Sequence, residues 1–141
     1  MTDPFNLQRF VDAQAPVFDA VVRELAAGEK RSHWMWFVFP QIVGLGLSPT
    51  SVFYALSSLE EAKAYVAHPI LGSRLVGCAG LVLAVRNRTA RQIFGGVDEM
   101  KFRSSMTLFS RAAPQTAAFA QCLDRYFAGD ADLATLAKLG P

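Results

Sequence analysis

The chain has 141 residues, of which 52% are hydrophobic and 18% charged, and its formal net charge is +2. These values exclude a disordered chain, and they exclude a basic field able to grip nucleic acid, since the longest basic run is the pair Lys30-Arg31. One domain with its own core is expected over 1–141.

The chain opens MTDPFNLQRF, with Asp3 where the apolar stretch of a secretory signal would begin, so no leader is expected. Asp3-Pro4 reads instead as a helix start, and Phe5, Leu7, Phe10 and Val11 suggest one short helix. Ala15-Pro16 restarts the chain. Val17, Phe18, Val21, Val22 and Leu25 recur at three and four, and Gly28 stops that helix. The stretch KRSHWMWFVFPQ comes next, with Ser32 as a candidate cap and Pro40 as the end. It is apolar all round at 34–39, so period does not separate helix from strand; helical surroundings favour a short helix.

After the loop GLGLSP, Ser48-Pro49 opens a helix, and Ser58 with Glu61 predicts a capping box for the next, over about 59–67. His68-Pro69 breaks it. A long apolar helix follows to about Val85. Its small-apolar run, 76–85, is too short to span a bilayer, so no membrane partner is expected. Thr89 caps a short helix ending at Phe94. Asp98 is the expected cap of the next, with Val97 and Phe102 as a hydrophobic staple and Phe102, Met106 and Phe109 as its buried stripe. Pro114 starts a helix that faces Phe119, Cys122, Leu123, Tyr126 and Phe127 inward, and Asp132 or Asp130 begins a last one. The fold class is therefore all-α, a single compact domain of about seven to nine short helices.

Cys78 and Cys122 stand alone, which predicts buried free thiols and suits a reducing cytoplasm. His33 and His68 are far apart, so no metal and no cofactor is expected. The segment GLG at 44–46 lacks the third glycine and preceding strand of a dinucleotide fingerprint. Candidate site residues cluster in two places. In the aromatic segment, Trp34 and Trp36 are either core or a stacking platform for a flat ring. His33 is either a structural hydrogen bonder or an acid–base group, and Gln41 offers a donor and an acceptor. In the later helix, Lys101, Ser104, Ser105 and Leu108 share a face beside the buried stripe. Two adjacent serines inside a helix are mildly unfavourable, so either close packing or a ligand uses them.

The stretches DPFNLQRFVDAQ, KRSHWMWFVFPQIVGLG, YALSSLEEAKAYVAHPILGSRL and IFGGVDEMKFRSSMTLF, with the late LDRYFAGD, carry a resemblance over nearly the whole chain. The chain resembles a bacterial domain-of-unknown-function family, number eighteen-ten, which implies a small, mostly helical fold and no established activity. Some members carry the label calpastatin. That disordered protease inhibitor does not match a hydrophobic, well-capped chain. A looser likeness links EAKAYVAHPILGSRL, IFGG and KFRSSMTLF to the back half of NADAR domains, which act on N-glycosidic bonds of ADP-ribose-like or riboflavin-pathway compounds. Their glutamate in an earlier aromatic segment is missing here, where His33 stands. This departure counts against hydrolysis and leaves nucleotide-like binding open.

Two functions are thus expected from the sequence. In the first, a nucleotide- or ribose-containing molecule lies between the aromatic segment and the 101–107 helix. Trp34 or Trp36 stacks on its ring, Lys101 and Arg103 meet phosphate, Ser104 and Ser105 bond oxygens, and His33 assists any cleavage. In the second, exposed aromatics hold a protein partner without catalysis. If all these residues are core, the site lies elsewhere. The oligomeric state is not legible.

Overall fold

A central helix is what this sequence builds around. In the computed structural model, which describes residues 2–140, α8 (Gly96–Ala112) buries every residue from Ser104 to Phe109. Around it pack α5 (Leu59–Ala67), α7 (Ala90–Phe94), α9 (Ala117–Phe127) and α10 (Leu133–Leu139). A second layer forms where α6 (Leu71–Ala84) crosses α9, α5 and α2 (Phe18–Ala27). The short helices α1 (Gln8–Gln14), α3 (Met35–Val38) and α4 (Pro49–Tyr54) close one end. Among the described residues there are ten helices, one above the expected range, and no strand; Ile42 and Leu56 form one isolated parallel bridge. The aromatic segment is helical as its surroundings favoured, but only for a single turn, Met35–Val38.

Side-chain caps begin four of the ten helices among the described residues. Ser48 accepts from the amide of Ser51, Ser58 from Glu61, and Asp132 from Thr135, while Thr89 and Gln92 form a full capping box. Four expected caps are corrected. Glu61 does not close a box on Ser58; its carboxylate accepts from Ser57 N and Ser57 Oγ, both at 2.8 Å. Ser32 caps nothing and donates its hydroxyl to Glu24 at 2.6 Å. Asp3 does reach the amides of Leu7 and Gln8, but α1 starts only at Gln8. Asp98 lies inside the first turn of α8, which begins earlier at Gly96 with Gly95 as its cap. The expected staple also fails, because Val97 is 70% exposed.

The thiols of Cys78 and Cys122 are free, buried and pushed up to about 12 by burial, so both behave as small apolar groups. Phe39, Phe94 and Phe102 pack as an aromatic triad, with centroids 4.6 to 6.1 Å apart, between α3 and α8. Among the described residues no single helix is long and apolar enough to cross a membrane.

Candidate functional site

The start of α8 forms the site. Gly95 adopts φ +86°, a backbone region that disfavours side chains, and so turns the chain sharply from α7 into α8. No side chain caps the first amides of α8. Lys30 Nζ reaches Asp98 Oδ2 at 2.8 Å and Ser32 O at 2.6 Å, tying the KRSHW segment to this turn. The other oxygen of Asp98 lies 3.9 Å from Lys101 Nζ, which sits 5.0 Å from the centroid of Trp36. Lys101 is thus held between an acid and an aromatic face with 20% of its side chain exposed.

Two other elements supply the remaining walls. The 41–46 loop is pinned where Leu56 N donates to Gln41 O at 2.9 Å and Val43 N to Leu56 O at 2.8 Å. Within it Gly44, at φ +98°, leaves room for Lys138, whose ammonium would lie 2.9 Å from any Cβ placed there. The third wall begins at Asp132. Its amide donates to Thr107 Oγ1 at 2.9 Å, and its Oδ2 accepts from Ser104 Oγ, Thr135 N and Thr135 Oγ1. Together these elements enclose an open groove of about 370 Å³ lined by Gln41, Leu45, Val97, Met100, Lys101, Ser104 and Asp132. Exposed apolar side chains line it or adjoin its lining along the chain. Leu47 is 88%, Met100 68% and Leu133 79% exposed. A second hollow shares Gln41, Gly46 and Lys101 and is walled by Trp36, but its volume is only about 10 Å³, room for one water.

The expected site residues separate on this geometry. Gln41, Lys101 and Ser104 meet in the groove, and Trp36 stands behind it beneath Lys101. Trp34 does not offer a stacking face. It is 1% exposed, and Nε1 donates to Glu24 Oε1 at 2.9 Å. Ser105 is also core, fully buried with its hydroxyl lacking a partner among the described residues. His33 is exposed and lines neither hollow. Arg103 turns away, donating to Asp130 O at 2.8 Å and Ala131 O at 3.3 Å, and so clamps the turn before α10. Of the acids near the aromatic segment, Asp98 is engaged by Lys30 and Glu24 by Trp34 and Ser32. The acid–base pair that N-glycoside cleavage needs is therefore not assembled from these residues.

Sequence reasoning missed Leu45, Val97, Met100 and Asp132 as groove residues. Asp132 was legible only as a cap; nothing in its neighbourhood along the chain points to Ser104, 28 positions away. For Ser105, substitution by alanine is expected to stabilise the protein by about 1 kcal/mol, because a desolvated hydroxyl without a partner is removed. Urea denaturation checks this. A loss of stability instead would mean that the hydroxyl has a partner.

Fold and groove together define a small all-α protein with an open, apolar-floored cleft at the head of its central helix. The chain belongs to the family described as protein of unknown function (DUF1810), whose profile matches residues 4–139. It is similar to the conserved hypothetical protein Rv1873 from Mycobacterium tuberculosis, known from a crystal structure. The two share 55% identity and a TM-score of 0.96 over 97% of this chain and 98% of that one. No curated protein matches the chain.

Proposed function

We propose that the protein binds a small organic anion, a nucleotide- or ribose-containing molecule, in the groove at the start of α8. The carrying observation is the combination of the groove's size with its chemistry. About 370 Å³ suits a molecule of this class, and the lining is an apolar floor with a few convergent polar groups. Lys101 meets the anionic group, aided by the uncapped amides at Gly96 and Val97. Leu45, Val97 and Met100 cover the flat apolar part. Gln41 and Ser104 stand at the sides, and Trp36 backs Lys101 rather than stacking on the ligand. This reading is of binding, and it gives no catalytic role to His33.

Thermal melting with NAD, ADP-ribose, AMP, GMP and FMN tests it, with Lys101→Ala in parallel. A ligand at 100 times its Kd should add about 2.7 kcal/mol, several degrees in a domain of this size. Lys101→Ala should abolish that shift while costing less than about 1 kcal/mol itself, since its contact with Asp98 is long and partly exposed. No shift with any of these at millimolar concentration would overturn the reading. Weight would then pass to the second one, a non-catalytic module that docks a protein partner. The observation favouring that alternative is the exposure of Val97 and Met100 in the groove and of Leu47 and Leu133, which adjoin its lining along the chain.

A further inference from the structure

We infer that Asp132 is the specificity-determining residue of this groove, and that it selects a ligand presenting adjacent hydroxyls, such as the vicinal diol of a ribose. This rests on the nucleotide reading above and adds to it which part of the ligand lies where.

Asp132 divides its work between two oxygens. Three hydrogen bonds fall on Oδ2, from Ser104 Oγ at 3.1 Å, Thr135 N at 3.0 Å and Thr135 Oγ1 at 2.6 Å. The other oxygen, Oδ1, accepts none from the described residues. Capping α10 needs a single acceptor, which asparagine or serine supplies as well as aspartate. The second oxygen and the negative charge are surplus to the cap, and the residue lines the groove. The carboxylate is also rigid. Its backbone amide is tied to Thr107 Oγ1 at 2.9 Å and its side chain is held by Ser104 and Thr135. A rigid acceptor with two free lone pairs matches two neighbouring hydroxyl donors and binds them without reorganising. Its charge repels phosphate, which sends the anionic group to the Lys101 end of the groove. The ligand is thereby oriented: anion at Lys101, apolar plane over Met100 and Leu45, hydroxyls at Asp132.

The test is calorimetric titration of the full chain with AMP and 2′-deoxy-AMP, using the unmodified protein and Asp132→Asn. The asparagine keeps an acceptor for Thr135 and Ser104, so the melting temperature should move by no more than about 2 °C. It replaces the free acceptor with a donor. The unmodified protein is expected to prefer AMP over the deoxy form by about tenfold or more, and Asp132→Asn to bring that ratio close to one. Equal binding of the two nucleotides by the unmodified protein, or a preference that survives in Asp132→Asn, would overturn the role of Asp132 and leave the groove as a nucleotide site. Binding of neither nucleotide would overturn the nucleotide reading and this inference together.

Discussion

Arg9→Ala is expected to destabilise the protein by about 3–5 kcal/mol, the largest loss from any single side chain considered above. Arg9 leaves α1 and uses all five of its N–H donors. Nε reaches Phe53 O at 3.0 Å, Nη1 reaches Phe5 O and Asn6 O at 2.6 and 2.7 Å, and Nη2 reaches Ala55 O at 3.2 Å and Glu61 Oε2 at 3.0 Å. Truncation leaves the Glu61 carboxylate, whose side chain is 3% exposed, buried with only Ser57 for company. Lysine should recover little, because one ammonium cannot cover five divergent acceptors. Glu61→Gln in the Arg9→Ala background should cost less than the two single losses added, since the orphaned charge is then gone. Urea denaturation of the four proteins measures the cycle, and a loss below about 1 kcal/mol for Arg9→Ala would refute the argument. The effect also reaches the groove. Arg9 holds the carbonyls of Phe53 and Ala55, and the next residue, Leu56, pins the 41–46 loop through Gln41.

Glu24 gives the second large effect, and it carries a pH signature. Its carboxylate on α2 accepts from Arg31 N, Ser32 N and Trp34 Nε1 on one oxygen, at 2.8, 3.0 and 2.9 Å, and from Ser32 Oγ on the other at 2.6 Å. Four donors thus explain how the KRSHW segment folds back onto α2 and how a buried tryptophan satisfies its N–H. Burial pushes this carboxyl up, but the bonds from Ser32, Arg31 and Trp34 outweigh it and bring the group from 4.5 down to about 2. A depressed acid contributes stability that is fully present above its unfolded value and lost as pH falls through its folded value. The window is therefore pH 4.5 down to 2, and the contribution is about 2–3 kcal/mol, allowing for partial exposure. Glu24→Ala should lose about 3 kcal/mol at neutral pH, because the indole N–H is left buried without a partner. Glu24→Gln keeps one acceptor and should lose about half of that. Denaturation midpoints between pH 2 and 5 decide the matter. Both variants should show a shallower acid loss than the unmodified protein, and an unchanged slope would show that Glu24 stays protonation-neutral on folding.

How far the residues speak for themselves depends on where their partners are. The caps at Ser48, Ser58, Thr89 and Asp132 were legible because each bonds an amide three positions on. So was the stripe of Phe102, Met106 and Phe109, since helical period alone sends those residues to one side, and so was the burial of two lone cysteines. The misplaced start of α8 has the opposite cause. Asp98 has the chemistry of a cap, but Lys30 lies 2.8 Å away across 68 positions of chain and holds it inside the first turn. Trp34 and Trp36 are indistinguishable along the chain. Glu24, ten residues back on another helix, accepts the N–H of the first and draws it into the core, while Lys101 caps the face of the second.

By itself, then, the sequence determined the helices, four of their caps, the apolar stripes and the family, because these follow from interactions within a turn or from long shared stretches. Only the tertiary structure decided the groove. Its three walls come from residues 41–46, the head of α8 and the start of α10, and they meet through the long-range bonds of Leu56 to Gln41, Lys30 to Asp98 and Ser104 to Asp132. No local propensity encodes a contact between segments so far apart; it arises when burying the apolar faces brings them together.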